Sequence, residues 1–394
     1  MSEPCFQSAK DLIDQVCSYK MSVREVVESH LDRISLLDES VEAWAWLDTN
    51  RALVNADRID REIADGSFRG DLFGVPVGIK DIFNTEDMPT GMGSPIWEGF
   101  TAGNDARVVF YLRRQGGIFP GKTVTAEFAV QAPGKTRNPH NSEYSPGTSS
   151  SGSAAAVASC MVPLAIGTQT AGSICRPASY CGVYGFKPSF GLVPRTGVLK
   201  TTDTMDTVGG FARTPEDLRI LFDVIRVHGA NFPIGFEALS DPSRQEKGSR
   251  PWRIAVDSHL NERFSLPYAY EALLLLLDEI EGHPEVELYE RPLPELFNHA
   301  HEIHTTIYEK CLSYYFKKEF GDTEFISPII HEMIDRGSCV SVEDYERALS
   351  HQIEMSRILD EYFSDIDAIL TLTTQGIAPK YSEPDLPDTC LTWT

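Results

Sequence analysis

The sequence lacks the features that mark secreted or membrane proteins. Its eight cysteines include no Cys-x-x-Cys pair and are too sparse to indicate a disulfide framework. The first residues, MSEPCFQSAKDLIDQ, have no basic start followed by an apolar run, so no secretory signal is predicted. The longest apolar run, ALLLLLDEI from Ala272, is too short to span a bilayer and is predicted to be a buried helix. We therefore expect a cytoplasmic location.

Positive charge is also scarce. The chain of 394 residues has 35 Lys and Arg against 58 Asp and Glu, which gives a formal net charge of −23. Such an acidic chain binds nucleic acid or an anionic membrane poorly, so neither is an expected partner. Apolar residues make up 42% of the chain and charged residues 24%, which is typical of a soluble globular protein.

Helix and strand patterns alternate along the chain. Ser22–Glu25 has the form of a capping box, and Asn50 and Thr214 are predicted to cap two further helices. Apolar stretches at 252–257, 286–290 and 367–374 indicate strands. The alternation predicts an α/β fold with a largely buried sheet, and neither a repeat nor a domain boundary is evident.

A segment rich in Pro, Gly, Asn and Ser, residues 133–152, has the composition of a flexible linker. However, GSAAAVASCMVPLAIGT follows at once and predicts a helix of small side chains and then a strand. Small side chains let a helix pack closely against a sheet, which a disordered linker does not need. We therefore interpret 133–152 as an ordered loop, and ALSDPSRQEKGSRP at 238–251 as a surface loop.

The stretch GGIFPGKT at 116–123 fits the pattern of a phosphate-binding loop, but its surroundings do not. That motif needs a strand before the glycines and a helix after the threonine. Here a helical pattern precedes it, a short β-prone stretch follows it, and Pro120 removes one backbone N–H. We expect instead a helix-to-strand turn in which Lys122 is structural or solvated.

Three separate stretches carry residues suited to amide hydrolysis. Lys80 follows the nearly apolar GVPVGI, where burial would lower its pKa and let the neutral amine act as a base. Asp81 would oppose that shift if its carboxylate lay close to the amine, and the sequence leaves this open. Three serines stand at 149–151, and the small side chains of TAGS at 170–173 let backbone N–H groups approach a substrate oxyanion.

The order of these stretches is more specific than any one of them. GVPVGIKD, PGTSSSGSAAA and GTQTAGSICRPASYCGVYGFKPSFGLVPRTGV follow one another, and from about Gly74 to Arg213 they closely resemble the amidase signature family. The resemblance implies a single α/β domain over residues 1–394, with a mixed β-sheet sandwiched between helices. Its parts would be N-terminal helices (1–70), a catalytic core (72–230), and peripheral helices with the remaining strands (250–394).

The resemblance also implies catalytic roles. Ser173 would be the acylating nucleophile, Ser149 the bridging serine that follows a cis peptide bond, and Lys80 the general base and acid. Ser173 lies 24 residues after Ser149, which is the spacing of the family. The backbone N–H groups expected to hold the oxyanion are those of Thr170, Ala171, Gly172 and Ser173.

Other positions are expected to support this site. Asp206, Arg176 and Ser150 are supporting candidates, with Asp206 and Arg213 expected to hold the catalytic loops. Ser150 and Ser151 are expected to shape the turn and donate hydrogen bonds. Ala171 replaces a glycine of the family, and its methyl would narrow the acyl pocket. No metal or cofactor is implied.

The predicted activity is hydrolysis of a linear carboxamide through a serine acyl-enzyme, with a small-molecule amide as the partner and a homodimer left open. One alternative is an amidotransferase A-type subunit that channels ammonia to another protein. A second is a truncated, inert paralogue that binds without turnover, because the family continues beyond Thr394. PGKTRNPHN and GTQTAGS resemble bacterial small-amide hydrolases more than the amidotransferase protein.

The histidine-rich stretch HAHEIH at 299–304 invites a metal-binding interpretation. It lacks the H-E-x-x-H pattern, in which two histidines share one helix face with a glutamate between them. We predict a helix with partly exposed histidines rather than a metal site.

Overall fold

The computed structural model describes residues 3–229, 239–240, 248–321 and 324–394, so most of the surface loop predicted at 238–251 lies outside the described residues. Contacts divide the chain into two compact units. The first comprises Met1–Phe236, Asp322–Ile330 and Ala378–Pro384, and the second comprises Glu237–Gly321, His331–Ile377 and Asp385–Thr394. The single domain and its internal boundaries stay a prediction.

The first unit is built from helices and short strands in alternation. Its elements are α1 (Ala9–Cys17), α2 (Val23–Val41), β1 (Trp44–Leu47), α3 (Thr49–Ala64), β2 (Val77–Lys80), α4 (Arg107–Arg114), β3 (Gly121–Thr123), α5 (Ser151–Ala158), β4 (Leu164–Gln169), α6 (Cys175–Cys181), β5 (Tyr184–Phe186), β6 (Thr207–Ala212) and α7 (Pro215–Ile225).

The six strands form one mixed sheet in the order β1-β3-β2-β4-β6-β5. Strand β2 runs parallel to both β3 and β4, whereas β1 and β6 pair antiparallel with their neighbours. The α/β fold with a mixed sheet between helices is therefore confirmed. Parallel strands end at the same edge of a sheet. The last residues of β2, β3 and β4 therefore lie at one edge; they are Lys80, Thr123 and Gln169.

Helix α5 lies against this sheet at unusually short range. Its residues from Ser151 to Val157 are all buried. A Cβ atom at Gly152 would lie 2.3 Å from the Ala43 carbonyl oxygen and 2.4 Å from the Val124 nitrogen, so only glycine fits there. The helix of small side chains is confirmed, and the segment before it is ordered through 133–150, as we predicted.

The predicted helix caps are confirmed in two cases of three. Ser22 forms a capping box with Glu25, and the Thr214 side chain accepts from the Asp217 N–H. The prediction for Asn50 is wrong, because Asp48 caps α3 by accepting from the Arg51 N–H at 3.0 Å. The expected helix-to-strand turn at 116–123 is also present, since α4 ends at Arg114 and β3 begins at Gly121.

The second unit contains a smaller sheet. Strands β7 (Trp252–Val256), β8 (Val286–Glu290) and β9 (Ala368–Leu370) confirm the three predicted strands and pair in parallel in the order β8-β7-β9. The helices are α8 (Ser258–Arg263), α9 (Pro267–Glu281), α10 (Ala300–Tyr315), α11 (Pro328–Cys339), whose first turn belongs to the first unit, and α12 (Val342–Tyr362).

One prediction for the second unit is wrong, and another is correct only in part. The leucine run in α9 is not buried, because Leu274, Leu275 and Leu276 are 45%, 72% and 43% exposed. Consecutive leucines point all round a helix, and here Ala269 and Leu273 make up the buried face. The prediction of partly exposed histidines is confirmed for His299, which is exposed, and His301, which is half-buried, but it is wrong for His304, which is buried. Among the described helices, none is long and apolar enough to cross a membrane.

Candidate active site

Lys80 ends β2 and is fully buried. Its Nζ donates to the hydroxyls of Ser149 at 2.8 Å, Ser150 at 2.9 Å and Thr168 at 3.1 Å. The first two serines come from the loop and cap before α5, and Thr168 comes from the adjacent parallel strand β4. The fold therefore surrounds the amine with hydroxyl groups.

The electrostatic surroundings of Lys80 favour the uncharged amine. Burial holds the pKa of Lys80 well below its ordinary value of 10.5, and the more distant carboxylate of Asp206 opposes the shift only in part. Within the described residues no carboxylate forms an ion pair with this amine. A buried lysine with a lowered pKa supplies the neutral base that an attacking hydroxyl needs.

The neighbouring Asp81 does not contact Lys80. Its carboxylate accepts from the Lys122 Nζ at 3.0 Å and from the Gly91 N–H at 3.1 Å. Lys122 is fully buried and also donates to the Pro89 carbonyl and the Thr90 hydroxyl. The question left open by the sequence is answered, since Lys122 engages the carboxylate. Lys122 itself is structural rather than solvated.

The three adjacent serines occupy different surroundings. The peptide bond between Thr148 and Ser149 is cis, as the resemblance implied. Ser150 accepts from Lys80 and donates to the Thr168 carbonyl at 3.3 Å, which fits its expected role in the turn. The expectation for Ser151 is wrong, because within the described residues its buried hydroxyl has no hydrogen-bond partner.

The loop that holds Ser173 connects β4 to α6. The Gln169 side chain accepts from the N–H groups of Ile174 and Cys175, both at 3.0 Å. The Arg176 N–H donates to the Gly172 carbonyl at 2.8 Å. These bonds hold residues 170–173 in a tight turn, with Ser173 7% exposed and the Arg176 side chain also buried.

The structure brings Lys80 and Ser149 into contact but does not join Ser173 to them. Among the described residues, no hydrogen bond links the Ser173 hydroxyl to Ser149 or Lys80. Hydrogen bonds between catalytic groups are often long without substrate, so the Ser173–Ser149 relay stays a prediction. The oxyanion role of the amides at 170–173 also stays a prediction.

Asp206 connects the nucleophile loop to a second loop. Its carboxylate accepts from the Thr170 hydroxyl at 2.8 Å, and from both the N–H and the hydroxyl of Thr201. It also accepts from the N–H and the hydroxyl of Thr202. This arrangement agrees with the expected loop-holding role. Arg213 is similarly structural, since it donates to the Val162 carbonyl and to carbonyls of the N-terminal segment.

A cavity of about 140 Å³ adjoins this cluster in the first unit. Thr168, Thr170 and Asp206 are among its polar lining residues, and Ile82, Leu199 and Val208 are among its apolar ones. Ala171 is not among its lining residues, and the narrowing of the acyl pocket by its methyl group stays a prediction. Across the described residues, no group of three or more His, Cys, Asp or Glu side chains is placed to hold a metal ion.

Sequence reasoning missed Thr168, Gln169 and the Asp81–Lys122 pair. Thr168 and Gln169 stand inside the GTQTAGS motif, but nothing in that motif tells which polar side chains face the lysine and which cap the next helix. Lys122 appeared within the false phosphate-binding pattern, 41 residues after its partner Asp81. Only the parallel pairing of β2 with β3 brings that pair together.

Comparisons with known proteins identify the family of the chain. The family model for Amidase matches residues 25–393. Among solved structures, the chain is similar to an amidase, at 25% identity with a TM-score of 0.85, covering 96% of this chain and 84% of that one. It is also similar to the peptide amidase from Stenotrophomonas maltophilia, at 25% identity with a TM-score of 0.81, covering 98% and 88%.

Curated relatives share a shorter region. The chain is 42% identical over 234 residues to the A subunit of glutamyl-tRNA(Gln) amidotransferase from Acidothermus cellulolyticus, which is 58% of this chain and 46% of that protein. The same protein of Mycolicibacterium gilvum is 41% identical over 235 residues, covering 58% and 48%. The chain thus spans about half the length of the curated relatives it matches. The family match over most of the chain shows that it belongs to the amidase signature family.

Proposed function

We propose that the protein hydrolyses a carboxamide C–N bond through an acyl-enzyme on Ser173, with Ser149 and Lys80 transferring the proton. The observation that carries this proposal is the buried Lys80 amine, 2.8 Å from the Ser149 hydroxyl and without a carboxylate in contact among the described residues. Burial without a direct counter-ion is the environment that keeps a lysine neutral and able to accept a proton.

The hydroxyl surroundings of Lys80 suit both of its protonation states. As an ammonium it can donate one N–H each to Ser149, Ser150 and Thr168. As a neutral amine it can donate to Ser150 and Thr168 while its lone pair accepts from the Ser149 hydroxyl. Ser150 is suited to accepting, because its own proton points to the Thr168 carbonyl. A base that cycles between two states needs such adaptable partners.

The proposed reaction moves one proton back and forth. The Ser173 Oγ attacks the carboxamide carbon while its proton passes to Ser149, whose own proton passes to Lys80. The oxyanion that forms is held by backbone N–H groups of residues 170–173. Lys80 then returns the proton through Ser149 to the leaving nitrogen, and the C–N bond breaks. Water repeats the sequence on the ester and releases the carboxylic acid.

Replacement of the nucleophile is the direct test. Purified Ser173→Ala should lose at least about four orders of magnitude in kcat/KM, because residues of a catalytic unit fail together. The assay is ammonia release from a panel of small aliphatic, aromatic and urea-type amides. Labelling by a serine-directed fluorophosphonate, mapped to Ser173 by mass spectrometry, provides a second readout that needs no knowledge of the substrate.

Ser151→Ala is the matched control for this test. Ser151 is a buried serine of the same cluster, but within the described residues its hydroxyl has no partner. Its removal should leave both ammonia release and Ser173 labelling near the parent level. Parent-level turnover by Ser173→Ala would show that another group is the nucleophile.

A second candidate function is that of an amidotransferase A-type subunit. The identity of 42% over 234 residues with the A subunit of a glutamyl-tRNA(Gln) amidotransferase favours it. In that case a partner should co-purify, and ammonia release from glutamine should depend on the partner. If the folded protein neither turns over amides nor is labelled at Ser173, the inert paralogue is the better description.

A further inference from the structure

The cavity next to the Lys80 cluster has the position of a substrate pocket. Thr168 lines it and also accepts from the Lys80 Nζ at 3.1 Å. Thr170, the first residue of the nucleophile loop, lines it as well. On these two contacts, the substituent of a carboxamide attacked by Ser173 is assigned to this cavity, although Ser173 itself is not among the lining residues. This assignment rests on the proposed amidase function.

The size of the cavity limits what it can hold. Its volume is about 140 Å³. An apolar protein cavity of about 150 Å³ is known to admit a benzene ring, which has six non-hydrogen atoms. The wall formed by Ile82, Ala129, Leu199 and Val208 is apolar, so a hydrocarbon group of that size fits its chemistry. Longer groups would extend beyond this volume.

The charges around the cavity disfavour a positively charged substrate. Asp206 supplies the carboxylate among the residues that line it, and five donors from Thr170, Thr201 and Thr202 already occupy its oxygens. A carboxylate offers about four lone-pair sites, so none remains for a substrate ammonium. Among the lining residues no carboxylate is therefore left to pair with a cationic group, which would lose its hydration there without a counter-charge.

The basic lining residues Arg195 and Lys200 are not free to attract an anion strongly. Arg195 donates to the carbonyls of Thr202 and Asp203 at 3.2 and 3.0 Å and lies 3.8 Å from the Asp206 carboxylate. Lys200 forms an ion pair with Asp203. Their charges are thus compensated within the protein, which leaves an uncharged group as the best match.

We propose that this cavity restricts the enzyme to small uncharged amides, with up to about six non-hydrogen atoms attached to the carboxamide, and that Leu199 sets this limit. Leu199 belongs to the apolar wall, and its N–H donates to the Ile82 carbonyl at 3.0 Å. This hydrogen bond holds the Leu199 backbone in place. A change of the Leu199 side chain should therefore alter the volume of the cavity without moving the backbone that lines it.

Two substrate series test size and charge separately. Linear amides from acetamide to decanamide should show kcat/KM falling about tenfold or more beyond six added non-hydrogen atoms, the effect expected of a misfit methylene. Hexanamide and 5-aminopentanamide have the same size but differ in charge, and the cationic amide should react at least about tenfold more slowly. The anionic glutaramate should not exceed hexanamide.

Substitution of Leu199 should move the size limit in opposite directions. Leu199→Ala should accept chains longer by about two atoms, Leu199→Phe should shorten the limit, and the similarly sized Leu199→Met should preserve it. A merely structural role would lower all rates without moving the limit. Because two variants must shift it in opposite senses, a poorly folded variant cannot imitate the result.

Each outcome has a defined meaning. A parent enzyme that hydrolyses decanamide or 5-aminopentanamide as fast as hexanamide overturns this proposal but leaves amidase function intact. A limit that stays fixed in Leu199→Ala and Leu199→Phe overturns the role of Leu199. A protein that hydrolyses no amide and is not labelled at Ser173 overturns the proposed function together with this inference.

Discussion

Lys80 and Lys122 lie fully buried on neighbouring parallel strands, yet their surroundings are opposite. The Lys122 Nζ donates to the Asp81 carboxylate at 3.0 Å, the Pro89 carbonyl and the Thr90 hydroxyl. Lys80 contacts three hydroxyls and, among the described residues, no carboxylate. The same sheet thus holds Lys122 in an ion pair and Lys80 among hydroxyl groups without a contacting carboxylate.

The difference between the two sites comes from strand geometry. Successive side chains of a strand point to opposite faces, and Lys122 is the register partner of Ile79, so its side chain leaves the sheet on the face opposite to Lys80. Asp81, the residue after β2, contacts Lys122 there. Burial lowers the pKa of both amines, but for Lys122 the contacting Asp81 carboxylate opposes the fall directly. The comparison teaches that burial alone does not make a lysine a base. The absence of a direct counter-ion is what distinguishes the catalytic candidate.

Replacing each lysine by methionine should separate the roles of Lys80 and Lys122 by the largest effect on kcat/KM. Lys80→Met should lower kcat/KM by at least about 10⁴-fold, because the proton acceptor is lost. Its melting temperature should not fall, since an amine that is costly to bury is removed. Lys122→Met should retain more than about a tenth of the parent kcat/KM, measured where it is fully folded. Equal loss of activity in both folded variants would contradict the assignment of separate roles.

The free energy of unfolding should fall more in Lys122→Met than in Lys80→Met. Lys122→Met leaves the buried Asp81 carboxylate unpaired, which should cost about 3–5 kcal/mol of unfolding free energy. The double variant Asp81→Asn/Lys122→Met removes both charges and should recover part of that loss. Urea unfolding of the parent, both single variants and the double variant measures this coupling. Strict additivity of the two single losses would show that the pair does not act as a unit.

Much of the fold followed from local patterns in the sequence. Ser22, Thr214 and the strands at 252–257 and 286–290 are placed by rules that act within a few residues, and the structure confirms them. The leucine run in α9 was misplaced because apolar content does not tell which helix face meets the sheet. Burial depends on neighbours that are distant in sequence.

The sequence indicates which residues belong to the candidate site, but it does not indicate how they are arranged. Lys80 and Ser149 are 69 residues apart in the chain, and their contact follows from the pairing of β2 with β4. The motif resemblance supplied these residues, whereas no local rule predicts that Thr168 completes the hydroxyl cluster or that Lys122 holds Asp81. Those contacts are properties of strand register, which a single sequence does not specify.

The smallest expected effect is a shift in the pH dependence of activity. In the proposed mechanism the neutral form of Lys80 is the active one, so kcat/KM should rise with pH through the pKa of Lys80, well below the ordinary value of 10.5. Asp206 raises that pKa, so Asp206→Asn should move the rise to lower pH by less than about one unit.

The position of this rise does not depend on how much of the protein is active, so slower turnover in Asp206→Asn does not obscure it. The double variant Asp81→Asn/Lys122→Met is the matched control, because it removes both charges of a buried ion pair and so leaves no new net charge near Lys80, and it should leave the midpoint unchanged. A midpoint near 10.5 in the parent would mean that Lys80 is an ordinary, charged lysine at neutral pH. Movement to higher pH in Asp206→Asn would mean that the carboxylate does not act on Lys80 through its charge.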